Sequence, residues 1–138
     1  MTADGPAAAL AALMALVNAG LALPASAGLG EGQALYAGHC LTCHQANGGG
    51  VPMMQPALIG SAIVTGPPEL LIRWTLQGTP DPAAPGLWAN TMPGFSQLSD
   101  GEIAAILTYV RQGLSHPDVE APLSSVTPAQ VARERAAF

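Results

Sequence analysis

The sequence predicts an all-α fold, and three patterns lead to that prediction. Apolar residues recur at helical spacing near the C-terminal end of the chain, at Ile103, Ile106, Leu107, Val110 and Leu114. The 138 residues show neither the alternation of apolar and polar residues that is typical of strands nor an internal repeat. The third pattern is Cys40-Leu41-Thr42-Cys43-His44, which indicates a prosthetic group within the helical fold.

The first helices can be placed from local signals. A first helix is predicted from about Glu31 into the cysteine motif. The glycines at 48–50 favour a loop with closely packed backbone, because this run lacks the Gly-Lys-Ser/Thr ending of a phosphate-binding loop. Pro67-Pro68-Glu69 is typical of a helix start, with proline at the first position and an acid in the first turn. Gly78 ends this second helix.

The second half of the chain continues with a loop and two helices. Prolines at 80, 82 and 85 predict a loop over 79–89. Ser99-Asp100-Gly101-Glu102 is a capping box ahead of the periodic apolar residues, so a helix begins there. Thr127-Pro128-Ala129-Gln130 caps a short last helix. We expect this tail to fold back on the domain or to dock on a partner.

The cysteine motif indicates covalent haem. Cys-x-x-Cys-His is the spacing at which two thiols bond the vinyl groups of a haem while the adjacent imidazole reaches the iron. Cys40 and Cys43 would form the two thioethers, and His44 would approach the metal from the same side. Zinc would need four ligands, and a thioredoxin-like dithiol would need a βαβ context that this chain lacks. The prediction is therefore one haem c.

The chain from about Glu31 to Gly113 resembles the class I c-type cytochromes. Gly32 and Tyr36 stand where the first helix of that family crosses its last helix, and Ile106 and Tyr109 occupy the matching face of the last helix. The resemblance implies a cytochrome c fold of three to five helices around one covalently bound haem. We divide the chain into a leader or anchor, a cytochrome c domain and a C-terminal extension, at residues 1–27, 28–115 and 116–138.

The second axial ligand is predicted to be a methionine. Met92-Pro93-Gly94-Phe95 is similar to the distal-ligand loop of the family, which makes His44 and Met92 the metal ligands. Met53 and Met54 are the alternatives, but they follow His44 by only nine and ten residues, a short path around a porphyrin. Met92 follows it by 48 residues. A methionine in a loop also commonly fills gaps in a core, so packing is the competing role.

Four further residues are candidate cofactor contacts. Pro56-Ala57-Leu58-Ile59-Gly60 resembles a stretch of the family in which the proline carbonyl accepts a hydrogen bond from the ligating imidazole; a simple turn residue is the alternative. Tyr36, Arg73 and Trp74 could each bond a haem propionate. A tryptophan at helical spacing more often lies in a core, and a surface arginine is usually solvated.

The N-terminus resembles an exported leader. Residues 7–23 form an apolar run somewhat shorter than the ~20 residues that span a bilayer, and Ala25-Ser26-Ala27 matches a cleavage site. The segment before the run carries Asp4 and no Lys or Arg, which departs from a positive leader start. We predict a periplasmic protein, either soluble after cleavage or anchored through residues 7–23 to the outer face of the inner membrane.

Charge and resemblance together predict the function. Four basic and nine acidic residues give a net charge of −5, so nucleic acid is excluded as a partner. We predict an electron carrier, not itself an enzyme, between a periplasmic dehydrogenase and the respiratory chain, with a terminal oxidase or another protein as acceptor. The segment 40–72 also resembles cytochrome subunits of dehydrogenases. The alternatives are a haem enzyme or gas sensor with an open sixth site, and a membrane-anchoring cytochrome subunit.

Overall fold

The computed structural model describes residues 25–79 and 90–138. Within these residues the chain is helical, and its one β-type pairing is an isolated bridge between Val51 and Gln55. The predicted all-α class is therefore confirmed. The helices are α1 Ala25–His39, α2 Leu41–His44, α3 Ala62–Thr65, α4 Pro68–Gln77, α5 Asp100–Gln112 and α6 Pro128–Arg135.

The helices can be compared with the sequence-based expectation. The described residues hold six helices against the expected three to five, and two of the six, α2 and α3, are single turns of 4 residues each. The first helix already includes Ala25, ahead of the predicted start near Glu31. No proline or capping box marks a start at Glu31, so no local signal requires the helix to begin there. Within residues 25–79 and 90–138, no helix has the length and apolar character needed to cross a bilayer. The apolar run at 7–23 and most of the predicted loop at 79–89 lie outside the described residues.

The fold is organised by a close crossing of α1 and α5. Gly32 faces α5 so closely that a Cβ atom at this position would overlap the carbonyl oxygen of Ala105 and lie 2.8 Å from Cβ of Tyr109. One turn later on α1, the buried ring of Tyr36 lies 5.4 Å from the ring of Tyr109, measured between centroids. Because α1 ends at His39, this crossing fixes the position of the cysteine motif that follows.

The segment after residue 90 is held against the end of α4. Gly78 ends α4 with φ +74, a conformation that glycine adopts without strain. A Cβ atom there would overlap the carbonyl oxygen of Met92 and lie 2.6 Å from the backbone nitrogen of Gly94. The absence of a side chain at Gly78 thus allows this segment to pass directly over the helix end.

The last residues of the chain run antiparallel to α5. Hydrogen bonds join progressively earlier positions of α5 to progressively later positions of the tail. The joined residues are Gln112 with Leu123, Arg111 with Ser124, Thr108 with Val126, and Asp100 with Arg135. Helix α6 packs against α4 and α5, with Val131 fully buried. The extension therefore folds back on the domain, one of its two expected arrangements.

Candidate haem site

The two cysteines lie where α1 passes into α2. The backbone N–H of Cys40 donates to the carbonyl of Tyr36, 2.8 Å away, so the cysteine continues the path of α1. Cys43 lies in the single turn of α2 and is exposed, and neither cysteine is in a disulfide. Burial, with a smaller contribution from Cys43, raises the pKa of Cys40 to about 11. Before haem attachment, Cys40 is therefore a protonated thiol at neutral pH, and its S–H can add across a vinyl group.

The imidazole of His44 is buried and oriented by one hydrogen bond. Its side chain is at the end of α2, its residue is 8% exposed, and its Nδ1 lies 3.1 Å from the carbonyl oxygen of Pro56. A carbonyl can only accept, so Nδ1 carries the proton and Nε2 keeps its lone pair. Burial lowers the pKa of His44, although the bond to Pro56 opposes this effect. A neutral imidazole with a free Nε2 is the form that binds a metal.

The glycine run brings the backbone close to Pro56. Gly50 has φ +65, and its N–H donates to the carbonyl of His44 over 3.0 Å. A Cβ atom on Gly50 would lie 2.5 Å from the carbonyl oxygen of Gln55 and 2.6 Å from that of Pro56. The lack of a side chain therefore allows the Pro56 carbonyl to lie beside the imidazole.

Tyr36 supports the turn that follows His44. Its hydroxyl donates to the carbonyl of Gln45 over 2.6 Å, and Gln45 has a positive φ of 64. Burial is the main cause that raises the pKa of Tyr36 well above its usual value. The hydroxyl thus stays protonated and stabilises a left-handed residue directly after the imidazole. The prediction that Tyr36 contacts the cofactor remains a prediction.

Arg73 and Trp74 lie on α4. The Nε of Arg73 donates to a carboxylate oxygen of Glu134 on α6, which forms an ion pair between these helices. Trp74 is partly buried, and both side chains line a hollow of about 150 Å³ near the end of α4. Their predicted contacts with haem propionates remain predictions.

Met92 is held by its backbone against the end of α4. Its N–H donates to Oγ1 of Thr79 and its carbonyl accepts from the N–H of Thr79, each over 2.9 Å. Three residues later the N–H of Phe95 donates to the carbonyl of Thr75, also over 2.9 Å. These contacts fix both the start and the end of the predicted ligand loop. Sequence reasoning missed Thr79, because no motif surrounds it.

Met53 and Met54 lie on an exposed turn. They are 73% and 45% exposed, and the bridge between Val51 and Gln55 closes the turn around them. Gln55 is followed by Pro56, whose carbonyl bonds Nδ1 of His44. The turn that carries Met53 and Met54 is therefore connected to the Nδ1 side of the imidazole and not to the Nε2 side.

The residues present fit a haem c. Cys40 and Cys43 supply two free thiols at the right spacing, and His44 supplies a neutral imidazole with its Nε2 unused by the Pro56 bond. Zinc fits less well, because no three His, Cys, Asp or Glu side chains of the described part of the chain lie together as a metal site. The donor set therefore favours covalent haem.

Comparison with known proteins gives the same result. A family model for cytochrome c matches residues 29–113, more than half of the chain. The cytochrome c subunit of the quinone alcohol dehydrogenase of Gluconacetobacter polyoxogenes is 35% identical over 105 residues, which cover 72% of this chain and 21% of that subunit. The corresponding subunit of Gluconobacter oxydans is 37% identical over 92 residues, covering 61% and 19%.

A smaller relative is cytochrome c-552 of Thermus thermophilus, which is 36% identical over 103 residues, covering 69% of this chain and 65% of that protein. The chain spans only about a fifth of the length of the alcohol dehydrogenase subunits. The predicted class I c-type cytochrome is confirmed by these matches and by the helical fold. The chain belongs to the cytochrome c family, whose function is electron transfer, and it binds haem c covalently through Cys40 and Cys43.

Proposed function

We propose that this chain is a periplasmic cytochrome that carries single electrons between a dehydrogenase and the respiratory chain, with His44 and Met92 as axial ligands. The observation that carries the proposal is the oriented imidazole of His44, whose Nδ1 bonds Pro56 while Nε2 remains free. The haem supplies a one-electron iron couple when it is bound. The remaining role of the protein is to hold the side chains of His44 and Met92 in place.

The contacts of Met92 support it as the second ligand. Its backbone is bonded in both directions to Thr79, so its position is fixed relative to α4. Met53 and Met54 instead lie on the exposed turn next to Pro56, which is on the side of His44 away from Nε2. Two ligands held in this way would fill both axial positions of the haem and would leave none for a substrate. Thioether ligation also favours a higher reduction potential than two imidazoles.

Substitution of each methionine tests the ligand assignment. We expect wild-type ferric protein to show the weak far-red sulfur-to-iron charge-transfer band, and ferrous protein to bind carbon monoxide slowly. Met92→Ala should lose the band and bind carbon monoxide rapidly, whereas Met53→Ala and Met54→Ala should keep wild-type behaviour. A wild-type protein without the band that binds carbon monoxide at once would support the haem enzyme or gas sensor instead.

A dehydrogenase is the proposed donor because of the relatives. Two of them are described as cytochrome c subunits of quinone alcohol dehydrogenases. Residues 32–68, which include the haem motif, contain no Asp, Glu, Lys or Arg, so docking there would rest on apolar contact rather than ion pairs. Isolation of the protein from its native membrane and identification of the proteins that accompany it would test this partner.

The proposed location rests on the leader-like residues 1–27. Cell fractionation and the intact mass of the mature protein test it together. Loss of residues 1–27 with recovery in the periplasmic fraction supports a soluble carrier. Retention of these residues with recovery in the membrane supports an anchored subunit. Recovery in the cytoplasm would contradict export altogether.

A further inference from the structure

We propose that Arg135, in the C-terminal extension, is a positioning residue for the axial methionine. It fastens the turn that follows the Met92 loop and so opposes the exchange of Met92 for another iron ligand. This inference rests on the proposed ligation by Met92. It assigns a role in the redox site to a helix that lies beyond residues 29–113, the part of the chain that matches the cytochrome c family.

The guanidinium group of Arg135 makes three hydrogen bonds to one short segment. Its Nε donates to Oδ1 of Asp100 over 2.8 Å, one terminal nitrogen donates to the carbonyl of Ser96 over 2.6 Å, and the other donates to the carbonyl of Leu98 over 2.7 Å. Such a planar fork fixes direction as well as distance. The group therefore determines the path of the backbone between the ligand loop and α5.

The rest of the Met92 segment is held from the other side. Thr79 bonds the backbone of Met92 in both directions, and the carbonyl of Thr75 accepts from the N–H of Phe95. These bonds fasten residues 92–95 to α4. The turn at residues 96–98 is then held from the far side by Arg135, since the N–H of Leu98 bonds only locally, to the carbonyl of Phe95, and Ser99 already belongs to the capping box of α5. The segment is therefore held by α4 at one end and by α6 at the other.

Helix α6 is itself firmly placed. Val131 is fully buried, and Glu134 pairs with Arg73 on α4. A capping box between Thr127 and Gln130 begins the helix. Arg135 thus projects from an element that already bridges α4 and the start of α5. Because α6 is fixed, the hydrogen bonds from Arg135 also fix the turn after the ligand loop.

The consequence is an effect on ligand exchange. In alkaline solution, hydroxide can compete with a thioether for the sixth position of a ferric haem. Replacement of Met92 would draw its segment away from α4 and, with it, the turn at residues 96–98. Bonds that hold this turn only in the methionine-bound arrangement favour that arrangement, by the free energy that they lose in the other one. Arg135 supplies two such bonds, to the carbonyls of Ser96 and Leu98.

The test is an alkaline titration of full-length ferric holoprotein, followed by the far-red charge-transfer band. We expect Arg135→Ala to lower the midpoint of the titration by about one pH unit, because a tenfold change in a one-proton exchange equilibrium corresponds to one unit. Arg135→Gln keeps a polar side chain near Asp100 but cannot bond two carbonyls as a fork, and it adds no amine that could itself bind the iron. It should lower the midpoint to a similar extent.

Thr108→Val is the matched control. Its hydroxyl makes two bonds to the backbone of Val126, so this variant also weakens the attachment of the extension, but at a position about two helical turns along α5 from Asp100. We expect it to lower the denaturant midpoint of unfolding without moving the alkaline midpoint. The positioning role would be overturned if Thr108→Val and Arg135→Ala both lowered the alkaline midpoint, each in proportion to its loss of stability.

The outcomes separate this inference from the proposed function. A wild-type protein without the charge-transfer band would refute ligation by Met92 and both proposals with it. A wild-type band with an unchanged alkaline midpoint in both Arg135 variants would refute only the role of Arg135. Should Arg135→Ala fail to accumulate as holoprotein, the glutamine variant carries the same test.

Discussion

His44 Nδ1 lies 3.1 Å from the carbonyl oxygen of Pro56, and this contact joins the haem motif to the turn that follows it. The bond prevents free rotation of the imidazole and leaves Nε2 free, the atom that would bind the iron in the proposed ligation. It also makes the ring a better electron donor to a metal, as hydrogen-bond acceptors behind the ring do in other histidine sites. Gly50 allows the Pro56 carbonyl to approach the imidazole, because a side chain at position 50 would collide with that carbonyl. A substitution at Gly50 should therefore disturb the contact between His44 and Pro56.

Gly50→Ala should displace the Pro56 carbonyl. The new Cβ would lie 2.6 Å from that oxygen, and φ +65 is unfavourable for alanine. We expect faster hydrogen exchange of the His44 Nδ1–H, seen by NMR of the ferrous protein, and a stability loss of about 1–3 kcal/mol. Gly60→Ala is the control, because φ is +68 there but the nearest atom to a new Cβ is Asp118 Oδ2 at 3.7 Å. It should cost stability without changing that exchange rate; similar exchange in both variants would contradict the explanation.

Two glycines of α1 should respond in opposite directions to alanine. Gly32→Ala would force α1 and α5 apart, because the added Cβ overlaps Ala105 and lies 2.8 Å from Cβ of Tyr109. Overpacking of this kind costs about 1–3 kcal/mol. Gly38→Ala meets nothing within 4 Å and should stabilise the helix by about 0.5–1 kcal/mol. Chemical denaturation measures both, and a neutral Gly32→Ala would show that the crossing is less tight than described.

Local signals in the sequence were sufficient for the helical class, the haem motif and the start of α5. A capping box and a Cys-x-x-Cys-His motif act over a few residues, so they can be recognised before the fold is known. Thr79 and Arg135 could not be found in this way. Arg135 meets Asp100 across 35 residues of chain, and Thr79 meets Met92 across 13. Their partners depend on how the chain returns to α4 and α5, and no local pattern encodes that path.

The buried Arg111 should be essential for the attachment of the extension. It is 4% exposed, and its guanidinium donates to the carbonyls of Val64, Gly66 and Ser124. Arg111→Met preserves much of the packing but leaves these acceptors without their donor. We expect a loss of at least about 2 kcal/mol, from the cost of buried groups left unsatisfied.

Arg133→Met is the control for Arg111→Met. Arg133 is exposed on α6, so the same change of side chain should alter stability by no more than about 0.5 kcal/mol. Urea denaturation of both variants provides the comparison. Equal effects would contradict a special role for the buried guanidinium.

The capping box of α5 should make the free energy of unfolding decrease at acidic pH. Glu102 accepts from the backbone N–H and the hydroxyl of Ser99, each over 2.8 Å. The backbone bond, then the side-chain bond, holds the pKa of Glu102 below its usual value of 4.5, with His39 adding a smaller effect. Since the folded pKa is lower, the unfolded state binds more protons between the two values. The stabilisation is therefore complete above the unfolded pKa and is lost as the pH falls through the folded one.

Exchange of the capping residue between α5 and α6 tests this pH dependence. At α6 the same box is made by Gln130, whose Oε1 accepts from the N–H of Thr127 over 2.8 Å, so an amide can take the place of the carboxylate. Glu102→Gln should keep the cap but reduce the loss of stability between pH 7 and about pH 3, near and below the reference pKa of glutamate. Gln130→Glu should increase that loss, because it introduces a titrating group into an otherwise neutral box. Denaturant unfolding across this pH range measures both, and an unchanged acid dependence in Glu102→Gln would show that other carboxylates control it.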